Sequence, residues 1–152
     1  MPEIERKFLV DRLPEEVRAS PATHIRQGYL SVEPAEVRIR SRDDTSHELT
    51  VKSVGGLSRA EVNLALTPEQ FEELWPLAQG SIGKDRTRYE VDGGTAEVDV
   101  YRGPLAGLVV AEVEFPSEAE AAAFVPPPWF GTEVTTDPRY RNAALAGITP
   151  SA

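Results

Sequence analysis

Glu3, Glu5 and Lys7 stand two residues apart in PEIERKFLV (2–10), and this spacing of ionisable side chains recurs along the chain. Glu36, Arg38, Arg40 and Arg42 alternate with Val37 and Ile39, and Thr50 and Lys52 with Leu49 and Val51. Arg59, Glu61 and Asn63 alternate with Val62 and Leu64. Lys84, Arg86, Arg88 and Glu90 share one parity, as do Glu97 with Asp99 and Glu112 with Glu114. In an extended chain successive side chains point to opposite faces, so each set occupies one face of a strand. A sheet with one solvated face alternates in the same way. Two features set this chain apart. The polar faces are almost entirely ionisable, where Thr, Ser and Gln would be common. Their signs also segregate: 36–42, 52 and 86–88 are basic, while 97–99 and 112–114 are acidic.

The acidic pair of strands reads as a hairpin that gathers four carboxylates, to which Glu3 and Glu5 add two. Like charges set opposite one another destabilise a sheet. Such a cluster is tolerated if solvent screens it, if some carboxyls stay protonated, or if a divalent cation binds. Oxygen ligands without His or Cys suit Mg²⁺ or Mn²⁺. Opposite them, Arg offers a planar fork for phosphate oxygens and Lys a point charge. Metal-binding carboxylates facing guanidinium groups describe a polyphosphate site. Closing the strands into a barrel would place that site inside, with Glu3, Glu5 and Lys7 turned inward.

Eight strands are predicted near 2–10, 25–32, 36–42, 47–54, 59–66, 84–91, 95–102 and 108–115. VGG (54–56) and DGG (92–94) are turn signals, and RGPLAG (102–107) reads as a hairpin loop. TPEQFEELWPLA (67–78) begins with a capping box, Thr67 with Gln70, and has Pro68 at its first helical position. SEAEAAAF (117–124) repeats that signature, and TDPRYRNAALAG (136–147) reads as a terminal helix ended by Gly147. A short helix is predicted around 14–18. The fold class is therefore α+β, mainly antiparallel β: an eight-stranded closed or nearly closed tunnel with a charged interior and flanking helices.

The 152 residues suffice for one cored domain, and no linker or repeat divides them. A formal charge of −9 argues against a broad nucleic-acid surface, though not against an enclosed basic site. No run of about 18 apolar residues predicts a membrane helix. The N-terminus is charged from its third residue, so a secretory leader is not expected, and a cytoplasmic protein is. Cysteine is absent, which excludes disulfides and thiolate metal sites. His24 and His47 lack metal-ligand spacing and are read as ordinary surface or edge residues.

EIERK together with RQGYL (26–30), VRIR (37–40), LTVK (49–52), LSRAE (57–61), RTRYEV (86–91), AEVDVY (96–101), AEVEF (111–115) and EVTTDPRYRNAAL (133–145) resembles the CYTH, or triphosphate tunnel metalloenzyme, family. The resemblance runs in order over essentially the whole chain and implies a single domain over 1–152. It implies an antiparallel eight-stranded tunnel that binds a triphosphate and divalent metals. At matching positions Glu3, Glu5, Glu112 and Glu114 resemble metal ligands, with Asp99, Glu97 and Glu61 supporting a second ion. Lys7, Arg38, Arg40, Lys52, Arg59, Arg86 and Arg88 resemble phosphate contacts, and Arg139 with Tyr140 the segment covering one tunnel end. Two positions depart from the family pattern: Asn63, where a second acid is common, and Arg86, where Lys is common.

The short bacterial type of the family implies an inorganic triphosphatase using Mg²⁺ or Mn²⁺, with Glu5 and Glu114 serving catalysis through the metal. Lys7 and Tyr29 are candidates to help deprotonate water; otherwise Lys7 binds phosphate and Tyr29 packs. A thiamine triphosphatase, a class IV-like adenylyl cyclase and a non-catalytic polyphosphate- or nucleotide-binding module are the alternatives. The expected partner is a small polyphosphate, with neither nucleic acid nor membrane. The oligomeric state is left open, a homodimer included.

Overall fold

The computed structural model describes residues 4–53 and 60–148. Eight strands appear as expected: β1 (Ile4–Leu9), β2 (Thr23–Ser31), β3 (Ala35–Arg42), β4 (Ser46–Ser53), β5 (Glu61–Ala65), β6 (Gly80–Val91), β7 (Gly94–Tyr101) and β8 (Val109–Phe115). They form one sheet in the order β1-β8-β7-β6-β2-β3-β4-β5. Its end strands, β1 and β5, share no ladder among the described residues, so the sheet is not strictly closed. The VGG turn and Arg59 lie outside the described residues, as does Glu3.

The chain divides into two compact units. The first comprises His24–Gly83 and the segment from Pro138 onward. Here β3 and β4 are joined through Asp43 and Asp44, both left-handed at φ 53° and 54°, which is the backbone of a tight hairpin turn. The turn closes with Thr45 N–H donating to the Arg42 carbonyl at 3.0 Å. That closure sets Arg38 opposite Thr50 and Arg40 opposite Glu48. Helix α2 (Pro68–Leu74) starts as its capping box predicts: Gln70 N–H donates to Thr67 Oγ1 at 3.1 Å, and Thr67 N–H to Gln70 Oε1 at 2.9 Å. It buries Phe71 completely, a gain of about 1.5–3 kcal/mol. Phe71 packs on His47, ring centroids 5.0 Å apart, so His47 is a buried packing residue rather than a surface one. Trp75 lies against β2 at Gly28, where any Cβ would press on the indole at 3.1 Å. The predicted terminal helix is interrupted: a 3₁₀ turn (Pro138–Tyr140) precedes the four-residue α4 (Asn142–Leu145).

The second unit comprises the segment up to Thr23 and Lys84–Asp137. Helix α1 (Glu15–Arg18) inserts Val17 into its core, and α3 (Glu118–Ala123) is capped by Ser117, whose Oγ accepts from Glu120 N–H at 3.1 Å. Phe8, Phe115, Phe124 and Phe130 dominate that core. Arg6, which breaks the apolar alternation of β1, belongs to this face. It donates to the Ala121 and Phe124 carbonyls and forms a two-pronged pair with Glu133. Residues 131–134 run along the outer edge of β1, with Gly131 N–H on the Leu9 carbonyl and Val134 N–H on that of Lys7. Gly131 is required there because a Cβ would meet the Leu9 carbonyl oxygen at 2.8 Å.

Candidate active site

Strand register decides which charges meet. In the second unit, Lys7 lies opposite Glu112, Glu112 opposite Glu97, and Glu97 opposite Arg88. This single row crosses β1, β8, β7 and β6. Arg86 lies opposite Asp99 in the next row, and Glu5 opposite Glu114 on the other side. The hairpin does gather carboxylates: Glu97 stands opposite Glu112 and Glu5 opposite Glu114, with Lys7 and Arg88 at the two ends of the row. Glu112 pairs with Lys7 at 3.7 Å, and Glu97 with Arg88 at 3.1 Å and Arg86 at 3.4 Å. Pairing of β7 with β8 thus sets acids side by side, flanked by Lys7 on β1 and by Arg86 and Arg88 on β6.

Asp99 is the most enclosed of these acids. Its Oδ1 accepts from Arg86 Nε at 2.7 Å, and its Oδ2 from Arg86 Nη2 at 2.9 Å and Lys84 Nζ at 2.9 Å. Burial alone would push this carboxyl up, but the Arg86 hydrogen bonds and the charges of Lys84 and Arg86 hold it below the usual carboxylate range. Burial would likewise pull Arg86 down, and its bond to Asp99, with the nearby charges of Asp99, Glu97 and Glu112, raises it instead. Lys84 is fully buried and was not singled out by sequence reading. Both Asp99 oxygens accept from cations, and this residue anchors Arg86.

Glu5 and Glu114 stand opposite one another, two like charges in one cross-strand pair, with Glu112 two residues along the same face. No group of three or more potential ligands ready for a metal occurs among the described residues. The donor set at Glu5, Glu112 and Glu114 is nonetheless hard oxygen of one sign, and a hard divalent cation offsets that repulsion. These three residues fit such an ion.

In the first unit one face carries Gln27, Arg40 and Glu48 in one row and Tyr29, Arg38, Thr50 and Asn63 in the next. Glu36, Lys52 and Glu61 form a third. Arg38 pairs with Glu36 at 3.2 Å, Arg42 with Glu48 at 3.4 Å, and Thr50 Oγ1 donates to Asn63 Oδ1 at 2.6 Å. Arg38 Nε is buried with no hydrogen-bond partner among the described residues. Tyr29 is 1% exposed; burial and the Glu36 charge push its phenol up, against the downward pull of Arg38, Gln27 and Arg40. Its phenol is therefore protonated near neutral pH. Lys7 and Tyr29, the pair that the sequence suggests for deprotonating water, belong to different units. Glu61 and Arg139 are exposed, and Arg139 lies 5.7 Å from the centre of the Tyr140 ring.

A cavity of about 410 Å³ in the second unit is lined by Leu13, Val17, Thr87, Val98, Val100 and Val109 among others. The strand residues among them have the opposite parity to Arg86 and Asp99, and no assigned site residue lines the cavity. The charged face is thus a separate feature.

The family model for the CYTH domain matches residues 1–140. An inorganic triphosphatase of Nitrosomonas europaea is 48% identical over 155 residues, covering 99% of this chain and all of that protein. One of Acetivibrio thermocellus is 37% identical over 147 residues, covering 94% and 92%. The crystal structure of the inorganic triphosphatase NE1496 aligns with a TM-score of 0.78 at 42% identity, covering 99% of this chain and 98% of that one. A putative adenylate cyclase from Bacillus halodurans aligns over 80% of the chain with a TM-score of 0.57 at 18% identity, a likeness of fold alone. Eight antiparallel strands with charged faces, a family match over nearly the whole chain and full-length relatives agree: this chain belongs to the CYTH domain family.

Proposed function

We propose that this protein hydrolyses inorganic triphosphate to pyrophosphate and orthophosphate. The observation that carries the reading is Arg38 Nε, a buried cationic N–H without an acceptor among the described residues. A buried donor left unsatisfied costs about 1–3 kcal/mol or more, and an anionic oxygen is the partner that removes the cost. Full-length similarity to two inorganic triphosphatases supports triphosphate as that anion. The match over 1–140 also supports one CYTH domain.

In this reading Arg38, Arg40, Lys52, Arg86 and Arg88 bind the phosphate chain, with Arg59 as a further candidate. Asp99 holds Arg86 by two hydrogen bonds so that its fork keeps one orientation. Lys7, held by Glu112, supplies a cation at the end of its row. Tyr29, protonated, serves as a hydrogen-bond donor rather than as a base. Glu5, Glu112 and Glu114, with Glu3, would hold Mg²⁺ or Mn²⁺, which when bound neutralises phosphate charge and lowers the pKa of water. Water attacks the terminal phosphorus, the bridging P–O bond breaks and pyrophosphate leaves. The guanidinium groups stabilise the charge that develops on the phosphoryl oxygens.

Phosphate release from tripolyphosphate and from ATP, each with Mg²⁺ or Mn²⁺ and again with excess EDTA, tests this. The face is lined by charge, with no apolar platform for a base among the assigned residues. kcat/KM for tripolyphosphate is therefore expected to exceed that for ATP by more than about tenfold, roughly 1.4 kcal/mol. Equal rates would point to a general nucleoside triphosphatase. Cyclic AMP formed from ATP would point to a cyclase. Full activity in EDTA would remove the metal from the mechanism.

A further inference from the structure

Gln27 is fully buried in β2, on the face that carries Arg38 and Arg40, and no role follows for it from charge. Its Oε1 accepts from Arg40 Nε at 2.7 Å, and its Nε2 lies 2.7 Å from Tyr29 Oη. Chemistry fixes which way round the amide sits. A guanidinium N–H only donates, so the atom facing Arg40 must be the carboxamide oxygen. The NH₂ then faces Tyr29, and because NH₂ only donates, the phenol oxygen must accept. The hydroxyl hydrogen of Tyr29 is thereby turned away from Gln27. Among the described residues no protein acceptor takes it. The cross-strand neighbour of Tyr29 is Arg38, whose buried Nε also lacks an acceptor. Two adjacent buried donors therefore await an oxygen on one face.

We propose that Gln27 is a positioning residue for the triphosphate site: its carboxamide anchors Arg40 through Nε and orients the Tyr29 hydroxyl as a donor to a substrate oxygen beside Arg38. This rests on the triphosphatase reading. Anchoring at Nε fixes the plane of the Arg40 guanidinium, whose Nη1 lies 3.9 Å from Glu48. Neither task can be performed by an apolar side chain of the same volume. A carboxylate performs only the first, because it would accept from Tyr29 and reverse that hydrogen bond.

The test compares Gln27→Met and Gln27→Glu, alone and combined with Arg40→Ala. Gln27→Met is expected to lower kcat/KM for tripolyphosphate about tenfold in the wild-type background and less than threefold when Arg40 is already Ala. A purely structural role would give the same loss in both backgrounds, which would overturn the proposal, as would no loss in either. The second readout does not need activity. Phenol ionisation is followed by ultraviolet absorbance, with Tyr29→Phe identifying the Tyr29 component. Removing an amide that donates to the phenolate raises the Tyr29 pKa in Gln27→Met, and Gln27→Glu raises it further. An unmoved titration in both variants would overturn the proposed orientation. If the wild-type protein neither binds nor hydrolyses tripolyphosphate, the triphosphatase reading fails, and the titration still decides whether Gln27 orients Tyr29. Gln27→Glu, nearly identical in shape, carries the titration if the Met variant does not fold, and an unmoved titration in it would overturn the proposed orientation.

Discussion

Replacing Asp99 by Asn separates two roles for a carboxylate on the charged face. Sequence resemblance makes Asp99 a support for a second metal; its contacts in the structure are those of a counter-ion to the buried Lys84 and the largely buried Arg86. Lys84 is fully buried, Asp99 has 8% of its side chain exposed and Arg86 18%. Three charge-assisted hydrogen bonds of 2.7–2.9 Å join them. Removing one partner of a buried ion pair costs about 3–5 kcal/mol, because the remaining charge stays desolvated. Asn keeps one acceptor oxygen, so the low end, about 3 kcal/mol, is expected. For a chain of this size each kcal/mol shifts Tm by about 2–4 °C, giving a fall of roughly 6–12 °C. The assay is thermal and urea unfolding of the metal-free protein. Acid sharpens the comparison. The Asp99 carboxyl is depressed in the folded state, so its stabilisation is present above the ordinary carboxylate value near pH 4 and is lost as pH falls through its lower folded value. Asp99→Asn should lack that part of the acid dependence. A variant as stable as the wild type, or more so, would refute the ion-pair argument and restore the metal-ligand role.

Two further predictions follow from the same geometry. Arg38→Ala is expected to weaken tripolyphosphate binding in calorimetry about tenfold or more, at roughly 1.5–3 kcal/mol per charged hydrogen bond, while the free protein melts no lower because a buried unsatisfied donor has been removed; unchanged affinity would place Arg38 outside the site. Glu114→Gln is expected to raise the melting temperature of the metal-free protein by relieving the Glu5–Glu114 repulsion, yet to lower Mg²⁺- or Mn²⁺-supported turnover at least about tenfold; turnover equal to wild type would exclude it as a ligand.

Local information carried the strands and the helix starts. A period-two alternation places Arg38 and Arg40 on one face in any extended backbone, whatever lies beside it, and β3 keeps that parity. Thr67, Pro68 and Gln70 satisfy a helix N-terminus with their own atoms, so α2 begins where the sequence indicates. Other features depended on partners. β6 starts at Gly80, four residues earlier than the alternation suggested, as a neighbour of β2 in the sheet, although Gly80 and Gly83 disfavour a strand. The terminal helix breaks at Arg141, where extended backbone separates the 3₁₀ turn from α4.

What the sequence by itself determined is which side chains share a face, since that follows from covalent geometry along one strand. Which charges touch was decided only by tertiary structure. Pairing Asp99 with Arg86 and Lys84, Glu112 with Lys7, and Gln27 with both Arg40 and Tyr29 requires strand order and register, and these depend on residues far apart in the chain. Acidic runs of the sequence therefore came to lie side by side on β7 and β8, flanked by cations on β1 and β6. A neutral glutamine, silent in a reading based on charge, became the group that links an arginine to a tyrosine.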